Sequence, residues 1–403
     1  MDETLSLFTS LMIDGSGNAA QKHMLIRVSH GRILSIRKAA VDDLRSPGCV
    51  DLRGCTVVPA LIDAHVHLCM SGTSDREMRE QQLKMDYDGA ERVMLSHARE
   101  QLVRGVMAVR DGGDYAAHAL RFKQQRCSGN PPPLRVMSAG KAWRAPGRYG
   151  KLIGRPPVEG LTLAESVARH SVGLDHVKLV NSGLNSLTHY GKQTPPQFSV
   201  GDLRAAVEAA RLLGLKTMVH ANGVLPVQWA VEAGCHSIEH GFFMGRENLE
   251  RMVEAQTFWV PTAITMQGYS EKLEQGTVEK DVARKNLEEQ VRQMAWARQL
   301  GVPLAVGTDS GSLGVHHGAS LVEELKLFME AGYTLEQSIH CATAAGALLL
   351  GLENQLGRLV PGAPATFVVA EGDRSSLPDA LTTPESVYMA GSLWKDPPQD
   401  GTW

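Results

Sequence analysis

The chain has 403 residues, of which 43% are hydrophobic and 21% charged, and its formal net charge at pH 7 is -3. This composition is typical of a soluble globular protein, and we expect no nucleic-acid partner, no membrane-spanning segment and no secretory signal. The six cysteines are scattered without paired spacing, which favours reduced thiols in a cytoplasmic protein over a disulfide framework.

Strand-like and helix-like segments alternate through most of the chain. Short β-type runs occupy residues 6–13, 24–28, 32–37 and 55–58, and they return at 365–370 and 386–389. Between them an apolar strand precedes His65, and further strand patterns follow at residues 106–110, 135–139, 176–180, 216–220, 237–240, 258–262 and 303–308. Helical patterns lie between many of these strands, at residues 199–213, 226–233, 279–299, 319–331 and 335–350.

This alternation predicts an α/β protein. Eight strand and helix units are the repeat of a (β/α)8 TIM barrel, which we expect over residues 60–360. The β segments on either side, residues 1–59 and 361–403, are expected to pair with each other. They would form a small, discontinuous β-sandwich domain built from both chain termini.

Two histidines at the end of the first barrel strand indicate a metal site. His65 and His67 follow the apolar run 57–62. In an extended chain, residues two apart point to the same face, so both imidazoles can reach one cation such as Zn²⁺. Two histidines in an apolar run are also explained by simple packing, and the pair alone is weak evidence.

Further ionisable residues strengthen that interpretation, because each ends its own apolar run. They are Lys178, His220, His240 and Asp309, after the fourth, fifth, sixth and eighth predicted strands. In a barrel of this kind, functional residues lie at the carboxyl ends of the strands, where the loops converge. Core histidines and a capping aspartate account for any one of these residues, but poorly for the whole set.

Lys178 is unusual among them, because a charged lysine is costly to bury in so apolar a strand. Its ammonium group would also repel bound cations. Carboxylated by CO₂, the side chain becomes a carbamate (N6-carboxylysine) whose two oxygens can bridge two metal ions. The alternative is a lysine that reaches out of the barrel or pairs with a carboxylate.

Several tracts resemble those of a known family. They read HANG at residues 220–223, AGCHSIEHG at 233–241, GTDSG at 307–311, ATAA at 342–345 and LGRLVPG at 356–362. With the six ionisable residues above, the chain resembles the amidohydrolase superfamily. The similarity is to its binuclear, carboxylated-lysine subgroup, and within that to the branch of Xaa-Pro dipeptidases and imidazolonepropionase relatives.

The resemblance implies a ligand set and a reaction. One metal would be held by His65, His67 and Asp309, the other by His220 and His240, with carboxylated Lys178 between them. The implied cofactors are two divalent ions, zinc foremost, although Mn, Fe and Co accept the same ligands, and CO₂ or bicarbonate for Lys178. A hydroxide formed at the metals would cleave a C–N amide bond, with Asp309 as the catalytic proton shuttle.

The substrate expected from this resemblance is a small molecule: a dipeptide, an N-acyl amino acid or a cyclic amide. A deaminase or an ester or lactone hydrolase on the same metals is an alternative. A catalytically silent scaffold or binding protein is an alternative from another class. A homo-oligomer is compatible with the sequence.

The chain departs from the dipeptidases of this branch at two substrate-contacting positions. Their Gly-Gly-His-Gly tract aligns with GRYG at residues 147–150, so Tyr149 would replace a histidine as donor to the developing oxyanion. Asn222 stands where those enzymes have a tyrosine. Both changes argue against ordinary Xaa-Pro or Xaa-Arg cleavage.

The loop over residues 141–160 carries five basic residues and one acid. Such a loop favours a substrate with a carboxylate, although a solvated basic loop without a ligand explains it equally well. The predicted substrate-binding residues are Trp143, Arg148, Tyr149, Asn222 and His317.

Overall fold

A computed structural model describes residues 4–45, 48–127 and 133–396. The predictions for residues 1–3 and 397–403, at the two ends of the predicted small domain, lie outside the described residues. None of the described helices combines the length and the apolar character needed to cross a membrane.

The described strands and helices alternate along the chain as the sequence predicts. The strands are β1 (Leu5–Met12), β2 (Gln21–Ser29), β3 (Arg32–Lys38), β4 (Cys49–Pro59), β5 (Leu61–Val66), β6 (Val106–Asp111), β7 (Arg135–Ser138), β8 (Ala142–Trp143), β9 (Gly154–Arg155), β10 (His176–Val180), β11 (Lys216–Ala221), β12 (Ser237–His240), β13 (Phe258–Val260), β14 (Phe367–Glu371), β15 (Ser386–Met389) and β16 (Ser392–Leu393).

The helices lie mainly between the central strands. They are α1 (Arg76–Gln82), α2 (Tyr87–Leu102), α3 (His118–Arg126), α4 (Leu163–His170), α5 (Val200–Leu212), α6 (Val224–Glu232), α7 (Arg246–Ala255), α8 (Ile264–Lys272), α9 (Val278–Leu300), α10 (Ala319–Glu330), α11 (Leu335–Cys341) and α12 (Ala344–Leu350), with short 3-10 helices at Val41–Arg45 and Asp379–Thr382.

Strands from both ends of the chain share one seven-stranded sheet, in the order β16-β15-β14-β4-β1-β2-β3. The join is antiparallel pairing of β14 with β4, in which Phe367 lies opposite Pro59. This sheet has an apolar core of its own, which includes Leu7, Ile26 and Phe367. The pairing of the two termini is as predicted. The described residues form one mixed sheet here, however, rather than the two packed sheets of a sandwich.

Two parallel sheets carry the central part of the chain and confirm the predicted α/β class. One contains β5, β6 and β7, and the other has the order β13-β12-β11-β10-β8-β9. Their strands are almost fully buried, as expected when helices cover a parallel sheet.

The described strands do not make the continuous closed barrel that was predicted. The segment 303–310, expected as the eighth strand, lies between the two sheets and makes only isolated bridges, Trp259 to Leu304 and Val66 to Ser310. Within this segment Asp309 has a left-handed backbone, with φ 59°, which departs from extended strand geometry. Hydrogen bonds still fasten the segment, since Ala64 N donates to Val306 O and Asp309 N to His65 O, at 2.9 and 2.7 Å.

Helix boundaries follow the local capping chemistry. Ser199 and Thr334 each form a capping box, at the start of α5 and of α11. The single helix predicted over residues 335–350 is instead two short helices. The chain leaves helical geometry at Thr343, which has φ -133° and ψ -90°.

Candidate metal centre

A cavity of about 290 Å³ opens where the carboxyl ends of the parallel strands meet. Its walls contain all six of the predicted metal ligands: His65, His67, Lys178, His220, His240 and Asp309. The parallel register explains part of this convergence, because Val180 lies opposite His220 and Ala221 opposite His240. Ligands that are far apart in sequence are thereby brought to neighbouring strand ends.

Three of these residues form a compact group on one side of the cavity. Nε2 of His65 lies 3.6 Å from Oδ1 of Asp309, and Nε2 of His67 lies 3.4 Å from the same oxygen. One ligand atom from each residue lies within 4.8 Å of the other two. Two imidazole nitrogens and a carboxylate oxygen at this spacing can hold one divalent cation.

The other side of the cavity is formed by His220, His240 and Lys178. The rings of His220 and His240 have centroids 4.6 Å apart, and His240 lies 5.0 Å from the ring of His65. Lys178 is only 1% exposed. It is the one member of this group whose side chain is an amine. The two groups of ligands are therefore contiguous, as a binuclear centre requires.

Each of the four imidazoles is oriented by a hydrogen bond from one ring nitrogen. The four bonds are His65 Nδ1 to Glu239 Oε2 (2.8 Å), His67 Nδ1 to Gly113 O (2.9 Å), His220 Nε2 to Gly183 O (3.1 Å) and His240 Nδ1 with Thr262 Oγ1 (2.7 Å). The second nitrogen of each ring is left for a ligand. Such outer hydrogen bonds fix the ring and its tautomer in metal sites.

Two buried polar atoms at the centre of the site have no hydrogen-bond partner among the described residues. They are Nζ of Lys178 and Nε2 of His65. An unpaired buried donor or acceptor costs about 1–3 kcal/mol, so it calls for an explanation. A cation bound to Nε2 and a carboxyl group attached to Nζ would satisfy both. The donor set therefore fits a metal centre.

Burial shifts the protonation of the histidines and of Lys178 in the direction that a metal centre needs, and that of Asp309 in the opposite direction. It lowers the pKa of both His65 and His240 well below the usual range, which favours the neutral imidazole that binds cations. Burial likewise lowers the pKa of Lys178 to about 8 and raises the pKa of Asp309 to about 7. The lysine is thus shifted towards its neutral, nucleophilic amine.

The backbone is strained at the ligands. His240 and Asp309 have φ of 68° and 59°, in the left-handed region that non-glycine residues rarely adopt. Such residues cost about 1–3 kcal/mol each and cluster at functional sites. Gly112 shows how closely the site is packed, since a Cβ there would lie 2.9 Å from Cε1 of His67 and 3.3 Å from Nε2 of His65.

Glu239 contacts a candidate metal ligand, and the sequence reasoning missed it. Its carboxylate is fully buried and accepts hydrogen bonds from His65 on one oxygen and from Arg110 Nη2, at 2.8 Å, on the other. Arg110 also donates to Ser237 Oγ and Ala64 O. The available signal was a glutamate within the short buried strand SIEH, where an unpaired charge would be costly.

We expect Glu239→Gln to weaken metal binding by about 10–100-fold, the usual effect of removing an outer-layer partner of a ligating histidine. Its amide cannot accept from both His65 and Arg110 as the carboxylate does. Affinity is measured by competition with a chromophoric Zn²⁺ chelator. Glu250→Gln, at an exposed glutamate of α7, is the matched control. Equal Zn²⁺ affinity in both variants would contradict this role for Glu239.

Two of the predicted substrate-binding residues lie in the cavity wall. Tyr149 has its ring centroid 5.3 Å from that of His220. Burial of its phenol, with the Asp309 charge nearby, raises the pKa of Tyr149, so the hydroxyl remains a donor. Asn222 also lines the cavity, but its Oδ1 accepts from the backbone N of Phe242 at 3.0 Å. That contact ties Asn222 to the framework of the site.

The other three predicted substrate-binding residues are not part of the cavity wall. Arg148 is exposed and donates to Pro195 O at 3.0 Å. Trp143 is buried beneath the guanidinium of Arg155, which lies 4.6 Å from its ring. The imidazole of His317 is buried and bonded to Met70 O. The structure does not bring these side chains to the cavity.

The sequence matches the model of the amidohydrolase family over residues 56–394. Among curated proteins it is similar to the imidazolonepropionase of Paracoccus denitrificans, at 25% identity over 359 residues, which cover 79% of this chain and 80% of that protein. It is also similar to the ochratoxinase of Aspergillus niger, at 26% identity over 269 residues, 62% of this chain and 55% of that protein.

The fold is similar to that of a solved Xaa-Pro dipeptidase with methionine bound in its active site. The TM-score is 0.84 at 25% sequence identity, and the match covers 98% of this chain and 100% of that one.

Proposed function

Since the chain belongs to the amidohydrolase family and is an enzyme that acts on carbon–nitrogen bonds, we propose that it is a metal-dependent hydrolase of small-molecule amides. The predicted family and the predicted enzyme class are thereby confirmed. The proposed substrates are dipeptides, N-acyl amino acids or cyclic amides. The observation that carries the proposal is the meeting of His65, His220, Asp309 and an unpartnered, buried Lys178 Nζ around one cavity.

The proposed framework is a (β/α)8 barrel over residues 60–360 that closes through the segment 303–310. Support comes from the hydrogen bonds of that segment to β5 on one side and to Trp259 of β13 on the other. The proposed small domain combines residues 1–59 and 361–403, consistent with the shared seven-stranded sheet.

Two divalent cations, zinc foremost, are proposed for the centre. One would be held by His65, His67 and Asp309, the other by His220 and His240, with carboxylated Lys178 joining them. Carboxylation forms a bond between Nζ and the carbon of CO₂ and releases a proton from the amine. The lowered pKa of buried Lys178 supports this step, because only the neutral amine can react.

When bound, the cations would activate a water molecule and polarise the scissile carbonyl group. Asp309 accepts the proton of the attacking water on its carboxylate and delivers it to the departing nitrogen. Ser312 Oγ donates to Asp309 Oδ2 at 2.9 Å and so holds the carboxylate in place. Tyr149 donates a hydrogen bond to the oxygen of the amide as negative charge develops there.

The substrate class is tested with a panel of N-acyl amino acids, dipeptides, cyclic imides, esters and lactones. Hydrolysis of at least one amide class is expected. Turnover of esters or lactones alone would support the alternative hydrolase, and release of ammonia from an amino-substituted ring would support a deaminase.

Metal removal is expected to abolish activity, because the nucleophile is generated at the centre. A chelator such as dipicolinate should bring the rate to background. Zn²⁺ with bicarbonate should restore it, whereas Zn²⁺ in CO₂-free buffer should restore much less, since Lys178 must be carboxylated. Undiminished turnover by protein shown to be metal-free by ICP-MS would contradict the mechanism.

A further inference from the structure

One cationic side chain lines the cavity outside the proposed ligand set. It is Arg79 of α1, which is half-buried there. Apart from Lys178, no other lysine or arginine of the described chain belongs to the wall. The basic residues of the loop 141–160 are also absent from it. Arg79 is therefore the group that can give a ligand in this cavity a counter-charge.

The guanidinium of Arg79 is fixed by one of its three nitrogens. Nη1 donates to Ser71 O at 2.7 Å and to Gly311 O at 3.0 Å, with Thr73 O at 3.5 Å. Gly311 lies two residues after Asp309, so these bonds hold Arg79 beside the proposed catalytic carboxylate. Nε and Nη2 of Arg79 make no hydrogen bond to any described residue. This edge of the guanidinium presents two parallel N–H groups, the geometry that matches a carboxylate.

Arg79 forms no ion pair with a described residue. Asp114, another carboxylate of the cavity wall, accepts hydrogen bonds from the backbone N–H groups of Ala116, His118 and Ala119, at 2.9, 2.9 and 3.0 Å. Burial lowers the pKa of Arg79, and the neighbouring Tyr269 and Asp309 offset this only in part, without forming an ion-pair partner. A ligand carboxylate would supply that partner.

Part of the cavity wall is apolar. Leu152 and Ile153 lie between β8 and β9, and Leu184 and Leu187 follow β10. Leu152 and Leu184 are 55% and 57% exposed, so an apolar group bound there would cover them.

We propose that Arg79 binds the carboxylate of the substrate, and that the apolar wall at Leu152 and Leu184 binds its other arm. The enzyme's substrates would then be N-acyl amino acids with an apolar acyl group, oriented with the scissile amide between the two. This inference rests on the proposed amide hydrolase function and adds the residue that selects for the free carboxylate.

The test uses matched substrate pairs that differ only at the carboxylate. A panel of N-acyl amino acids with benzoyl, phenylacetyl and hexanoyl groups is compared with the corresponding carboxamides. The wild-type enzyme should prefer each acid. Arg79→Gln should lower kcat/KM for the acids by about 10–100-fold and leave the carboxamides nearly unchanged. Arg79→Lys keeps the charge but loses the two parallel N–H groups. Its kcat/KM for the acids should lie between the wild-type value and that of Arg79→Gln.

Arg148→Gln, at an exposed arginine outside the cavity, is the control and should keep the wild-type preference. The same pairs are titrated calorimetrically into metal-loaded Asp309→Asn protein, with and without Arg79→Gln, so the selectivity is also read without turnover. A preference for acids that is equal in wild type and Arg79→Gln would overturn the proposal, as would equal losses for acid and carboxamide. If no amide is hydrolysed, the proposed function fails, while the calorimetric preference still decides the role of Arg79.

Discussion

Asp309→Asn is expected to lower kcat by about 10²–10⁴-fold, the usual contribution of a positioned acid–base group, while the protein still binds metal. An amide has nearly the shape of the carboxylate and keeps one oxygen towards His65 and His67. It cannot take a proton from water and pass it to the departing nitrogen. The measurement is kcat on the best amide substrate, with metal content by ICP-MS on the same samples.

Asp51→Asn serves as the control for Asp309→Asn, because Asp51 lies on β4 of the seven-stranded sheet and pairs with exposed Arg53. It should leave kcat unchanged. A kcat near the wild-type value in Asp309→Asn would contradict the proton-transfer role. Loss of all metal in that variant would instead assign Asp309 to metal retention alone.

Lys178→Met is expected to remove most activity and to reduce the bound metal from about two ions per chain to one or fewer. Methionine has a similar volume and is apolar, so it fits a site that is only 1% exposed. It removes an amine that has no partner among the described residues, so the metal-free protein should lose little stability or gain some. Metal content by ICP-MS and the thermal midpoint Tm of the metal-free protein are compared.

Lys216→Met provides the matched control on the neighbouring strand. Lys216 donates to Leu348 O and Leu349 O, so its loss should lower Tm and leave the metal content unchanged. The two variants should therefore show opposite patterns. Full metal content in Lys178→Met would contradict the proposed bridging role, whatever its stability.

The strand-end residues could be predicted from the sequence because two local rules were enough. Alternation along a strand places His65 and His67 on one face, and parallel strands end at a common edge. His220, His240 and Asp309 follow the second rule and line the same cavity. The apolar residues of the strand around Lys178 likewise predicted that this lysine would be buried, and the structure shows that it is.

Residues whose roles depend on contacts between distant strands could not be predicted in this way. Glu239 adjoins His240 in sequence, yet its carboxylate contacts His65, which lies 174 residues away along the chain. Arg79 lies on a short helix whose position depends on backbone carbonyls far along the chain, such as Gly311 O. The periodic spacing of hydrophobic residues along the sequence does not identify such contacts.

Loop residues were the least predictable. Arg148 and Trp143 share a basic, aromatic segment that favoured substrate contact. Only the folded path of the loop shows Arg148 directed to Pro195 O and Trp143 covered by Arg155. The continuous barrel was expected from strand counting, which does not detect the irregular backbone of the segment 303–310.

A crystal structure of the protein loaded with Zn²⁺ and bicarbonate, with anomalous diffraction data, tests the binuclear centre most directly. We expect two anomalous peaks among the six side chains, and density for a carboxylate attached to Lys178 Nζ between them. A bare Lys178 amine, with no peak near His65 or His220 under those conditions, would contradict the account.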